Sequence, residues 1–166
     1  MESNGLLYSF EPVIDSASEL LILGTLPGPE SLRMGQYYAN PGNQFWKIIY
    51  NVFNETGVNP VYKERLLFLL DHGIALWDVF HSAERKGALD ADIRNETPND
   101  IPGLLAAYPR IKRILVNGRK AEKSFWKYFP CVKVDVVYVP STSPAYAKMS
   151  FAEKINEWRL AVTRID

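Results

Sequence analysis

Four short apolar runs punctuate the chain: Glu19 to Gly24 (ELLILG), Ile74 to Val79 (IALWDV), Arg113 to Asn117 (RILVN) and Lys133 to Val139 (KVDVVYV). Each is nearly continuous rather than alternating, the pattern of strands covered on both faces, as in a parallel sheet. Between them the apolar period lengthens to that of a helix. Gln44 to Phe53 sets Phe45, Ile49, Val52 and Phe53 on one side, Tyr62 to Leu70 is leucine-rich, and Arg119 to Tyr128 carries Ala121, Phe125 and Trp126. The last helix has the clearest start, because Ser150 and Glu153 hold a capping-box spacing ahead of a stripe formed by Phe151, Ile155, Trp158 and Val162. Strands alternating with helices imply right-handed crossovers and an α/β fold. The expected architecture is a three-layer α/β/α sandwich around a four-stranded, mainly parallel sheet, in one domain spanning 1–166. Glu84 to Pro102, rich in charge and carrying Pro98 and Asn99, is expected to be a long loop with a short helix.

Open α/β sheets bind ligands outside the carboxyl ends of their strands, so the residues just after each run are expected to converge. They are Gly24 to Gly28 (GTLPG), Asp78 to Ser82 (DVFHS), Asn117 to Lys120 (NGRK) and Pro140 to Ala147 (PSTSPAYA). GTLPG exposes backbone amides and allows close approach to the main chain, but lacks the Gly-Lys-Ser/Thr ending of a phosphate-binding P-loop. Gly35 to Trp46 (GQYYANPGNQFW) joins paired tyrosines, a Pro-Gly turn and an asparagine. An aromatic there suits stacking of a flipped base, and the Asn43 amide suits contact with a base or a water, while its position also suits the cap of the following helix. PSTSPAYA is a small, rigid, hydroxyl-bearing loop of the kind that positions a phosphate backbone. No G-x-S-x-G elbow surrounds its serines, which argues against a serine hydrolase.

Charge narrows the picture. Nineteen basic and nineteen acidic residues cancel, so the global footprint of a strongly basic nucleic-acid binder is missing and any phosphate contact is local. The run from Arg110 to Lys127 is basic but reads first as a solvated face, with a DNA-facing edge as the alternative. Cys131 is the single cysteine and His72 and His81 the only histidines. No disulfide, metal or cofactor is therefore expected, and a reduced, cytoplasmic setting without membrane attachment is the simplest expectation.

Taken in order, GTLPG, then GQYYANPGNQFWKII, then PSTSPAYA after the last strand, the motifs resemble the uracil-DNA glycosylase superfamily over nearly the whole chain. The mismatch-specific uracil and thymine glycosylases are similar in a GINPG-type first motif and an aromatic-Ala-x-Pro-x-Asn-x-Phe-Trp segment. They place an asparagine, and the main uracil glycosylases an aspartate, where this chain has Leu26. The hypoxanthine (deoxyinosine) glycosylase branch fits better, since its members resemble this chain in G-S/T-x-P-G, Tyr-Tyr-Ala, Ser-Thr-Ser-Pro-Ala and a Trp-Asp-Val strand end. The four-cysteine iron-sulfur branches do not fit a single Cys131.

The resemblance implies a uracil-DNA glycosylase-like fold and a monofunctional enzyme, most like those that release hypoxanthine from DNA containing deaminated bases, acting as a monomer. It assigns Asn43 as the catalytic group and Tyr38 as the stacking aromatic. Gly24, Thr25, Leu26, Pro27 and Gly28 form a backbone cradle for the base, and Asn117 is a further base contact. Ser141, Thr142 and Ser143 grip phosphates, with Ala145, Tyr146 and Lys148 on the same DNA-facing loop, Tyr146 filling the vacated stack. The roles of Asp78 and His81 stay open. Two alternatives remain at this point: a uracil- or mismatch-specific glycosylase, and a non-catalytic nucleic-acid-binding relative.

Overall fold

The computed structural model describes residues 5–163. In chain order the elements are β1 (Leu6–Tyr8), β2 (Leu20–Gly24), α1 (Pro29–Met34), α2 (Phe45–Val52), α3 (Tyr62–Asp71), β3 (Ile74–Asp78), β4 (Phe80–Arg85) and β5 (Ile93–Pro98), then α4 (Ile101–Ala107), β6 (Arg113–Asn117), α5 (Arg119–Tyr128), β7 (Asp135–Val139) and α6 (Phe151–Thr163). The four apolar runs form one sheet in the order β3-β2-β6-β7, with every neighbouring pair parallel.

The continuous apolarity has the expected cause. Leu20 and Ile22 of β2 pack with Phe45, Ile48, Ile49 and Trp158 of α2 and α6, whereas Leu21 and Leu23 pack on the opposite face with Ile114, Val116 and Phe125. Both faces of the central strands are thus covered, and neither can alternate with polar residues. The terminal helix begins as its spacing predicts: the Ser150 amide donates to Glu153 Oε2 (2.7 Å) and the Glu153 amide to Ser150 Oγ (3.2 Å).

One expectation is corrected. Glu84 to Pro102 is not a long loop: β4 and β5 form an antiparallel pair that joins β1 in a second sheet, ordered β1-β4-β5, with a single 3-10 turn at Asp90–Asp92 between them. The pairing slips between Phe80 and Ser82 and again between Ser82 and Glu84, and in β5 only Ile93 is buried. Such an irregular, largely exposed strand leaves no clean period of two. One outer layer of the sandwich therefore combines helices with this small sheet.

The strand order also locates the site. From β2 the chain moves one way to β3 and later returns to the other side as β6, so the winding reverses between β2 and β6. Ligands of such sheets bind at that switch point, beyond the carboxyl ends.

Candidate active site

A cavity of about 190 Å³ opens at this place, lined from the ends of all four parallel strands and by the segment before α2. Gly24 to Gly28 form one wall. The Gly24 and Thr25 carbonyls accept from the Val79 and Phe80 amides (2.8 and 3.1 Å), which anchors the loop to β4. Arg85 Nη2 donates to the Pro27 carbonyl (2.8 Å) and its Nε to Gly87 (3.0 Å). Gly28 precedes α1, with Pro29 at the first helical position. Among the described residues no protein acceptor takes the amide hydrogens of Thr25, Leu26 or Gly28, all of which line the cavity. The Leu26 side chain is buried in the core cluster behind the loop.

Gly24 has no room for a side chain. A Cβ there would lie 2.7 Å from Asp78 Oδ1 and 3.2 Å from the Tyr38 hydroxyl, so both groups press against the main chain of β2. Tyr38 adopts a left-handed backbone (φ 54°), uncommon for a bulky residue and of the strained kind that collects at sites. One face of its ring stacks on Phe45, centroids 3.9 Å apart and planes 17° from parallel. Only the other face is left for the cavity it lines. Burial pushes the Tyr38 phenol up, so it stays neutral.

Asn43 sits one residue before the cap position, which Gln44 occupies, and its Oδ1 accepts from the Phe45 amide (3.0 Å). Its backbone amide donates to Asn40 (2.9 Å). The carboxamide oxygen therefore serves the start of α2, as an asparagine does in a local turn, and among the described residues its Nδ2 hydrogens meet no protein acceptor. Asn117, at the end of β6, is differently placed. Its Nδ2 donates to Thr142 Oγ1 (3.1 Å) and to the Tyr38 hydroxyl (3.3 Å), and its Oδ1 accepts from the Thr142 amide (3.1 Å). Both amide hydrogens are engaged in closing the cavity floor.

The PSTSPAYA loop is held from several sides. Thr142, 1% exposed, turns its hydroxyl inward to Asn117, and its carbonyl accepts from the Gln44 amide (3.0 Å). Gly118 (φ 93°) lets Ser141 approach, since a Cβ there would sit 3.1 Å from Ser141 Cβ. Lys154 of α6 is buried and donates to Gln44 Oε1 (3.0 Å) and to the Tyr146 carbonyl (2.8 Å). Ser141, Thr142, Ser143 and Ala145 line the cavity with Gly24 to Gly28, Tyr38, Asn43 and Asn117. Tyr146 and Lys148 do not; Tyr146 is half-buried and Lys148 exposed.

The structure adds groups that the chain pattern did not assign. Asp78 ends β3 and lines the cavity; Arg85 and Asp90 join it from β4 and the 3-10 turn. Asp90 accepts a hydrogen bond from the Thr25 hydroxyl (2.9 Å). Burial, reinforced by the negative charge of Asp90 and opposed by Arg85, pushes the Asp78 carboxyl up to about 7. The signal for Asp78 was its place at a strand end; Arg85 and Asp90 were hidden in the segment read as a loop. His81 is exposed, its ring edge-on to Tyr8 and outside the cavity lining.

The basic run divides. Arg110 pairs with Glu19 (3.0 Å), Arg113 with Asp135 (2.7 Å), Arg119 with Glu122 (2.9 Å) and Lys127 with Glu96 (3.3 Å), the pattern of a solvated face. Among the described residues no cluster of histidine, cysteine or acidic side chains is arranged to hold a metal ion.

The cavity thus combines an aromatic face, open backbone donors and the free Nδ2 of Asn43 at the place where the parallel sheet switches direction. The model for the uracil DNA glycosylase superfamily matches residues 11–163, and the chain belongs to that superfamily. It is 38% identical over 152 residues to a hypoxanthine DNA glycosylase of Methanosarcina acetivorans, covering 90% of this chain and 93% of that one. It is 42% identical over 112 residues to a protein of the same name from Methanosarcina barkeri, covering 68% and 71% respectively. The solution NMR structure of a candidate uracil DNA glycosylase from M. acetivorans superposes with a TM-score of 0.83 at 35% identity, over 95% of this chain and 96% of that one.

Proposed function

We propose that this protein is a monofunctional DNA glycosylase that hydrolyses the N-glycosidic bond of hypoxanthine in DNA. The observation that carries the proposal is the convergence of the open Tyr38 face, the unengaged amides of Thr25, Leu26 and Gly28, and the free Nδ2 of Asn43 on one cavity. The similarity to two proteins named hypoxanthine DNA glycosylases supports hypoxanthine as the base.

The chemistry follows from these groups. The damaged nucleotide leaves the stack, which deaminated pairs allow at lower cost than sound ones. Its base slides onto Tyr38 and its carbonyl meets the backbone amides, which stabilise negative charge as the bond to the sugar lengthens. Asn43 offers Nδ2 to the base or to the attacking water while Oδ1 holds the residue in place through Phe45. Ser141, Ser143 and Ala145 approach the phosphates from the loop after β7, and Tyr146 and Lys148 contact the DNA beyond the cavity. Asn117 reaches a base edge only by giving up a bond to Thr142 or Tyr38. No lysine lines the cavity among the described residues, which favours a reaction that stops at the abasic site. The protein acts as a monomer in the cytoplasm; its Cys131 thiol is exposed and unpaired, and no described helix is long and apolar enough to cross a membrane.

Duplexes bearing single hypoxanthine, uracil, xanthine or mismatched thymine residues test the reading. Alkali-dependent cleavage at hypoxanthine, without strand breakage before alkali, is expected. Exclusive action on uracil would move the substrate, and tight binding with no abasic product would replace the enzyme with a binding protein.

A further inference from the structure

The floor of the cavity holds a carboxyl group with no structural work to do. Asp78 is 5% exposed, its Oδ1 is pressed against the main chain at Gly24, and its buried Oδ2 has no hydrogen-bond partner among the described residues. A buried, unpaired carboxylate is costly, so such groups are held protonated or are kept for a ligand. The other polar groups beside it are engaged: the Asn117 amide with Thr142 and Tyr38, and the Thr25 hydroxyl with Asp90. Leu26, in the first loop, is an apolar residue of the core cluster and has no proton to give, whereas Asp78 at the end of the neighbouring strand carries one into the cavity lining.

We propose that Asp78 is the general acid of the reaction, handing its carboxyl proton to a ring nitrogen of the flipped purine as the bond between C1′ and N9 breaks. This rests on the glycosylase reading above. Both electrons of the C1′–N9 bond leave with the base, and the Asp78 proton neutralises them. The water oxygen bonds to C1′, the proton it sheds passes to solvent, and Asp78 is recharged from solvent. A purine offers ring nitrogens that accept such a proton, so the acid fits the proposed substrate.

The surroundings keep the proton in place up to neutrality. Asp90, on the 3-10 turn, adds negative charge; Arg85, on β4, opposes it; and Lys120, on α5, acts on Asp90. The phenols of Tyr37 and Tyr38 are pushed up by burial and remain neutral. An acid poised near 7 suits proton transfer at physiological pH.

The test is single-turnover excision of hypoxanthine across pH, for wild type and Asp78→Asn. The wild-type rate should fall as pH rises through about 7, approaching tenfold per pH unit. Asp78→Asn should lose this limb and run about 10²-fold slower at pH 6, the size of one general-acid contribution, while binding an abasic-site duplex within about twofold of wild type. Folding supplies a control of opposite sign. The raised carboxyl makes the native protein bind an extra proton, so stability falls as pH rises from the usual carboxylate range through about 7. Asp78→Asn should therefore melt higher than wild type at pH 8, with the gain shrinking at pH 5. A wild-type profile without the falling limb, a variant within about threefold of wild type, or a parallel loss of abasic-duplex binding would each overturn the assignment. If wild type releases no base, the glycosylase reading falls and takes Asp78 with it; if wild type is active and the variant matches it, only Asp78 falls.

Discussion

Asn43 has two ends with two occupations. Its oxygen is committed to the Phe45 amide, and its nitrogen faces a cavity with no protein acceptor. Asn43→Asp keeps the oxygen and removes the donor, separating support of α2 from chemistry. We expect its melting temperature to stay near wild type and its excision rate to fall about 10²-fold or more, the range for a positioned catalytic group; wild-type excision by a folded Asn43→Asp would remove Asn43 from the reaction. Asn43 could be picked from its motif, as could Tyr38 and the GTLPG backbone. The engagement of Asn117 could not, because an Asn-Gly after a strand looks the same whether its amide faces a ligand or a neighbouring loop. The inward turn of Thr142 is illegible for a related reason: a hydroxyl in a row of hydroxyls gives no sign of which one meets a neighbour such as Asn117.

At the scale of elements, the strands of the parallel sheet were legible because burial on both faces leaves an unbroken apolar run, and α6 because its cap is written in two residues. The β4–β5 pair was not. Its register slips twice, and its outer strand β5 is mostly exposed with one buried residue, Ile93, which makes no period. That pair nevertheless delivers Arg85, whose guanidinium bonds two carbonyls and sits near Asp78 and Asp90. Arg85→Met should act in two ways. Losing the bond to Pro27 should loosen the first loop and slow excision about tenfold. Losing a positive charge should make Asp78 hold its proton more tightly, moving the falling limb of the pH–rate profile to higher pH. Single-turnover profiles read both effects, and a limb that moves to lower pH would contradict the arrangement of charges.

For the molecule as a whole, equal numbers of acidic and basic residues leave no broad field to draw DNA in. Arg110, Arg113, Arg119 and Lys127 of the basic run are paired with acids, so that face offers phosphates little free charge. The logarithm of the DNA association constant should therefore fall with the logarithm of salt concentration at a slope of about −2 to −3, since each neutralised phosphate contributes about −0.9. Fluorescence anisotropy over a salt series measures it, and a slope beyond about −6 would mean a phosphate-binding surface far larger than the cavity rim. Recognition then rests on the pocket, where the fold gathers four strand ends that are far apart along the chain.

Leu26 sets a limit on how this enzyme can be remade. Its side chain belongs to the apolar cluster beneath the loop, packed with Val79, Ile93 and Ile101. A carboxylate introduced there would begin life inside the core, at a cost of about several kcal/mol, before it touched any substrate. One substitution therefore does not give this loop a working acid: the loop would have to be rebuilt together with the hydrophobic floor it rests on.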